Sequence, residues 1–313
     1  MLTVVLGLSG ALVYGFADFL GGLASRRVRA VTVAAVAAAV GVLPLLAGLL
    51  LVGGVFATET VLWGAAAGIS GGVGVLLLYR ALAIGPMSVL SPLTAVFAAV
   101  VPVVVAVLRG TALSGLAVVA LVVAVVAVVL VAAVRDTSGA RVTTVGLVTA
   151  AVAGCGFGGI VLAYDMTPSD SGVVPLVVAR ALQAVLLGTA AVVVARRAAP
   201  VRGPGGAADP GTSADVAGSA ASGRIRVGGR WPARLVWTVV VCGVLDAAAN
   251  VFIQAGLHSS DDPATLPVVS VLNALYPIGT VVLAGVVLRE RLTAVQWTGI
   301  VLAFGASVGL ALA

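Results

Sequence analysis

The chain contains no lysine, a single histidine, two cysteines and few charges of either sign; only 9% of its 313 residues are Asp, Glu, Lys or Arg. Each shortage excludes something. Without lysine no phosphate-cradling Walker loop can be completed, so ATP-driven work by this chain alone is not expected. Cys155 and Cys242 both fall inside apolar runs, too far apart for a disulfide framework or a metal site. They read as small apolar helix residues, and no metal or other cofactor is expected. One histidine leaves little room for histidine-based catalysis. The shortage of charge excludes most soluble folds, since a water-soluble domain carries roughly 25% charged residues. With 61% hydrophobic residues, the chain could not cover its apolar surface in water.

What is present fits a bilayer. All 17 basic residues are arginine, and the net charge is +6. That balance would suit nucleic acid, but the arginines lie in the connections between apolar runs, so nucleic acid is not an expected partner. The Ala/Val/Gly/Arg-rich composition suggests a bacterial genome of high GC content. The first apolar run starts at Leu2 without a basic segment before it, and Arg26, Arg27 and Arg29 follow it. A cleaved signal peptide has the opposite order, so the run reads as a retained helix.

A helix needs roughly 20 apolar residues to cross the hydrocarbon core. That rule places ten spans near 2–23, 30–52, 61–82, 87–108, 115–134, 144–164, 173–195, 235–257, 264–288 and 293–313. The fold class is an all-α membrane protein. Residues 196–234, rich in Gly, Ala, Pro, Ser and Arg without apolar period, read as a flexible insertion between the seventh and eighth spans. Connections after odd-numbered spans hold 15 arginines and those after even-numbered spans two, Arg109 and, marginally, Arg180. Without the long loop the ratio is still 8 to 2. The positive-inside rule then puts both termini outside and the 196–234 loop in the cytoplasm of a bacterial inner membrane.

The two halves resemble each other. Residues 68–102 align with 243–277 without a gap, with six identities: Gly68/Gly243, Leu82/Leu257, Pro92/Pro267, Val96/Val271, Ala99/Ala274 and Pro102/Pro277. Gly7-Leu8 precedes Gly15 as Gly146-Leu147 precedes Gly154. The repeats are 1–134 and 144–313, five spans each, and an odd number inverts the second copy. Inverted repeats recur in secondary transporters, with the solute near midplane between the copies. Pro92, Pro102, Pro267 and Pro277 are candidate kinks in a gate, or static kinks taken up by packing.

Tyr79-Arg80-Ala81-Leu82 with Pro86, Pro92 and Pro102, then Pro267, Pro277 and Leu288-Arg289-Glu290-Arg291-Leu292-Thr293, resemble the EamA-type members of the drug/metabolite transporter superfamily. Arg289 stands where that family usually has Gly, and Leu108-Arg109-Gly110-Thr111 lacks the corresponding Glu. The resemblance implies two five-helix domains and a solute carrier, often an exporter of amino acids or other metabolites. It also implies termini in the cytoplasm, opposite to the arginine count.

Polar residues inside apolar spans are the site candidates, because each is costly there. Asp246 sits midway along the eighth span, with Asn250 and Gln254 on the same face at i+4 and i+8. The stripe faces either a solute path or an interhelical hydrogen-bond knot. In a proton-coupled carrier Asp246 would be the acceptor, since leaving water disfavours a carboxylate's charged form. Asp18 in the first span resembles the first-helix carboxylate that small multidrug carriers of the superfamily use for proton exchange. Tyr79 matches Gln254 in the repeat and reads as pathway residue or interfacial anchor. Asn273 and Tyr276 beside Pro277 are expected to line a cavity. Arg180 is expected to snorkel to the interface near Asp165 and Asp170, with capture of an anion as the other reading. The glycines 68, 71, 72, 74, 154, 156, 158 and 159 are expected to allow close helix packing.

Two other classes remain. A lipid flippase or a non-transporting scaffold would share most of these features. Gly68-Ile69-Ser70-Gly71 resembles the Gly-x-Ser-Gly of rhomboid-type intramembrane proteases, which need a histidine base; only His258 is available. A non-enzymatic carrier with a small-molecule solute and the bilayer as partners is the leading expectation. Proton coupling and a homodimeric assembly stand as open expectations beside it.

Overall fold

A computed structural model describes residues 1–84, 87–132, 143–197, 231–287 and 293–312. Pro86, residues 288–292 and most of the 196–234 insertion therefore lie outside the described residues. The helices are α1 (Leu2–Ser25), α2 (Ala30–Val52), α3 (Thr58–Ile84), α4 (Met87–Leu108), α5 (Gly115–Ala132), α6 (Thr144–Asp165), α7 (Val174–Arg197), α8 (Ala233–Leu257), α9 (Thr265–Asn273), α10 (Tyr276–Val287) and α11 (Ala294–Leu312), with a short 3-10 turn at Ser169–Ser171. No strand occurs among the described residues. Helix is the form expected of such runs in lipid, where every backbone N–H and C=O must find a partner within its own segment.

Seven of these helices are long and apolar enough to cross a membrane; shorter apolar stretches lie at Gly115–Leu130, Thr265–Thr280 and Trp297–Ala306. The outer surface confirms the solvent. Leu50, Leu51 and Leu108 are 88%, 86% and 80% exposed, while Asp18, Asp246 and Arg180 are each only 5% exposed. Apolar outside and charged inside is the reverse of a soluble protein, and acyl chains supply the missing contacts. The chain is a multi-pass membrane protein.

The ninth expected span is two helices. α9 stops at Asn273 and α10 starts at Tyr276. Pro277 explains the break, because it brings no N–H to the carbonyl of Asn273 four residues earlier. The chain crosses the gap with tighter i→i−3 bonds, Leu275 N to Leu272 O at 3.1 Å and Ile278 N to Leu275 O at 3.0 Å. Pro267, expected to interrupt a span, instead lies in the first turn of α9, where its missing N–H has no partner to lose. Pro92 and Pro102 are inside α4, which continues through both.

Packing pairs match when each helix is exchanged for the one five spans on. α1 packs on α8 as α3 does on α6; α1 packs on α9 and α10 as α4 does on α6; α2 packs on α8 as α3 does on α7; and α2 faces α7 and α5 faces α11. The aligned glycines sit at these crossings. A β-carbon on Gly68 would come 2.8 Å from Ala179 O, and one on Gly243 would run into Ala37 O. Gly243→Ala is therefore expected to cost about 1–3 kcal/mol, since backbone atoms cannot swing aside. Gly188 has open space around its Cα. Gly188→Ala should be neutral, or stabilising by up to about 1 kcal/mol, from helix propensity alone. Thermal unfolding in detergent micelles compares the two.

Candidate functional site

α1 carries Tyr14 and Asp18 four residues apart, so both side chains leave the same face. They meet Phe157, Ile160 and Val161 of α6, Ile253 of α8, and Asn273 and Tyr276 at the α9–α10 break, around one narrow cavity. Its volume is about 10 Å³. That is room for roughly one water. The rings of Tyr14 and Phe157 meet at 6.4 Å between centroids, inclined at 56°.

The polar groups around this cavity are under-used. Asp18 makes no hydrogen bond or ion pair among the described residues, although it is 5% exposed. The Asn273 side-chain oxygen is buried without a partner, and Pro277 leaves the backbone carbonyl of the same residue without its helical donor. Tyr276 differs: its hydroxyl donates to Ser91 O of α4 at 2.9 Å, tying the break to the other half. Buried polar groups in native proteins are normally satisfied. An unpartnered carboxylate and an unpartnered amide converging on one cavity therefore point to a missing occupant.

The polar stripe of α8 is buried along its length. Asp246 is ion-paired with Arg180 of α7, and the same guanidinium donates to Gln183 Oε1 at 3.1 Å. This corrects the expectation that Arg180 snorkels to the interface. Arg180 lies on the buried face of α7 with Ala179, Gln183 and Leu187, and Asp246 supplies the countercharge that makes the position tolerable. It also changes the standing of Asp246, which is not a free acceptor here. Asn250 Nδ2 donates to Asp246 O at 2.8 Å, and Gln254 Nε2 donates to Thr167 Oγ1 at 3.0 Å. In this conformation the stripe forms the interhelical knot.

Tyr79 is 2% exposed, which overturns the interfacial-anchor reading. Its hydroxyl lies 3.1 Å from the Cys242 sulfur, which in turn contacts Ala17 O at 3.3 Å. Ser70 donates to Gly156 O at 2.9 Å across the α3–α6 crossing. The imidazole of His258 contacts Gln254 O and Thr167 O instead. The serine–histidine dyad of a protease is not assembled. Among the described residues no group of three or more His, Cys, Asp or Glu gathers at metal-binding distance.

Tyr14, Phe157 and the Arg180–Asp246 pairing were not foreseen from sequence. Tyr14 could have been, being one turn before Asp18. The ion pair joins residues on different helices with nothing local linking them.

Residues 219–312 match the EamA-like transporter family. The matched stretch includes Asp246, Asn250, Gln254 and both sides of the α9–α10 break. Tyr14, Asp18 and Phe157 lie before the matched stretch, so the cavity joins that stretch to the rest of the chain. No curated protein matches. A solved structure described only as "Crystal structure of protein" is similar, with a TM-score of 0.68 and 15% identity over 99% of this chain and 96% of that one. At that identity the likeness is one of fold alone.

Proposed function

We propose that this protein is a secondary transporter exporting a small metabolite with an ammonium group, such as an amino acid, by alternating access of two inverted five-helix halves, 1–134 and 144–313. One observation carries the reading: the unpartnered Asp18 carboxylate in a cavity where the two halves meet. A buried carboxylate is costly without a counterion. An ammonium group would supply that counterion and the donors that Asn273 lacks, while Tyr14 and Phe157 offer ring faces to a cation. The Arg180–Asp246 pair neutralises itself, which leaves Asp18 as the charge a solute would meet. Proton coupling, on this reading, passes through Asp18 and not Asp246.

The exchange-matched packing and the aligned glycines support the inverted arrangement. The cavity holds roughly one water, so on this reading the halves must tilt apart to admit solute. The arginine bias favours both termini outside the cytoplasm of a bacterial inner membrane.

A flippase reading has its own support in an open apolar groove of about 210 Å³ lined by Leu8, Leu12, Leu275, Ile278, Ile300 and Phe304. It borders the same helix break and could take an acyl chain. Proteoliposomes separate the two readings. Counterflow of labelled amines or amino acids, without scrambling of labelled lipid, is the expected result. Scrambling without counterflow would replace the carrier by a flippase.

A further inference from the structure

His258 caps the C-terminal end of α8 and is set between two carbonyl oxygens. Its Nδ1 lies 3.0 Å from Gln254 O, and its Nε2 lies 2.9 Å from Thr167 O, in the turn that follows α6; Thr167 Oγ1 is also 3.5 Å from Nε2, but its proton goes to Tyr164 O at 2.7 Å. Carbonyl oxygens only accept. A neutral imidazole has one N–H and one lone pair, so one of these contacts would set a lone pair against an oxygen. A doubly protonated ring donates to both. Both carbonyls belong to helix ends or the turn just beyond, where partial negative charge also favours a cation.

The surroundings form a junction at the arginine-poor end of the bundle. Thr167 Oγ1 receives the Gln254 amide at 3.0 Å and donates to Tyr164 O at 2.7 Å. Thr3 of α1 and Ser259, next to His258, share a hydrogen bond of 2.6 Å. The charged groups near the imidazole are few. From α6, Asp165 interacts electrostatically with both His258 and Arg109, and Arg109, after α4, forms an ion pair with it at 3.6 Å. Asp170 follows in the 3-10 turn. The ammonium of Met1 opens α1, whose Thr3 reaches Ser259. On the histidine's own segment Asp261 and Asp262 are exposed, and Asp262 Oδ1 accepts from Ala264 N at 2.8 Å.

We propose that His258 is a protonation-dependent clasp that holds the α6–α7 turn against the end of α8 and so closes the arginine-poor end of the bundle. With both ring nitrogens protonated, the two helix ends are bridged. When one proton leaves, one contact turns repulsive and the end loosens. Imidazole is the side chain whose charge ordinarily changes between about pH 5 and 8, so the clasp answers to pH on that face of the membrane. The inference does not depend on which solute, if any, is carried.

Hydrogen–deuterium exchange on the full chain in micelles tests it, read as protection of segments 162–171 and 250–260 relative to 30–40 at the opposite end. Normalising to the last segment removes the intrinsic pH dependence of exchange. Loss of a charge-assisted bond should lower relative protection about tenfold or more from pH 5.5 to 8.5. In His258→Gln the relative protection should be flat with pH. A flat profile in the unsubstituted chain, or a transition that persists in His258→Gln, would overturn the clasp.

Discussion

Arg180→Ala is expected to destabilise the fold by about 3–5 kcal/mol, the largest stability effect of any single substitution considered for this chain. Asp246 would be left charged, buried and opposed only by its own helix, and the freed volume is too deep for bulk water to reach. Asp246→Asn should act in the same direction, since Arg180 would keep only the neutral Gln183 oxygen as partner. The double variant Arg180→Met with Asp246→Leu should recover most of the loss, because replacing a whole buried pair by apolar groups is often neutral. Unfolding midpoints in micelles for the four chains complete a double-mutant cycle. If Arg180→Ala melted with the unsubstituted protein, the pair would not exist in the membrane-embedded state. The pairing also changes how an inactive Asp246→Asn would be read. A transport defect in that variant need not report lost proton coupling, because a damaged α7–α8 contact would produce it as well.

The helices were legible in the sequence because their cause is local. Lipid forces every apolar run of adequate length to satisfy its own backbone, so run length alone located α1 to α8 within a few residues. The ninth run was legible as apolar but not as broken. Pro277 signalled a kink, yet whether proline bends a helix or ends it depends on what packs beside the freed carbonyl. Pro267 misled for the related reason that proline is harmless in a first turn and disruptive further on, and the start of α9 was not fixed by composition. At the site, Asp18, Asn273 and Tyr276 stood out as polar residues in apolar runs, and the structure brings them to one cavity. The Asp246 stripe stood out equally and is turned elsewhere. The difference lies in Arg180, whose reach across to α8 is a tertiary fact. A long charged side chain six residues into a helix can run to the interface or to a partner, and sequence does not say where the partner is.

Asp18→Asn should separate binding from folding more cleanly than any other change. The amide nearly matches the carboxylate in shape, and no ion pair or hydrogen bond among the described residues depends on the charge. Removing an uncompensated buried charge relieves a desolvation cost, so the variant's unfolding midpoint should equal or exceed that of the unsubstituted chain. Transport should move the opposite way. A ligand ammonium that loses a desolvated carboxylate partner forfeits about 2–5 kcal/mol, so counterflow of an amine or amino acid at low concentration should fall on the order of 100-fold or more. The pH profile adds a sign. If one carboxylate serves both proton and ammonium, acid on the binding side competes with solute in the unsubstituted chain, and the residual activity of Asp18→Asn should lose that competition and vary little with pH. Stability retained, transport lost and pH response flattened form a combination that a structural role for Asp18 would not give. A variant that carries solute as well as its parent would move the site away from this cavity, and would leave its unpartnered carboxylate without a counterion to explain it.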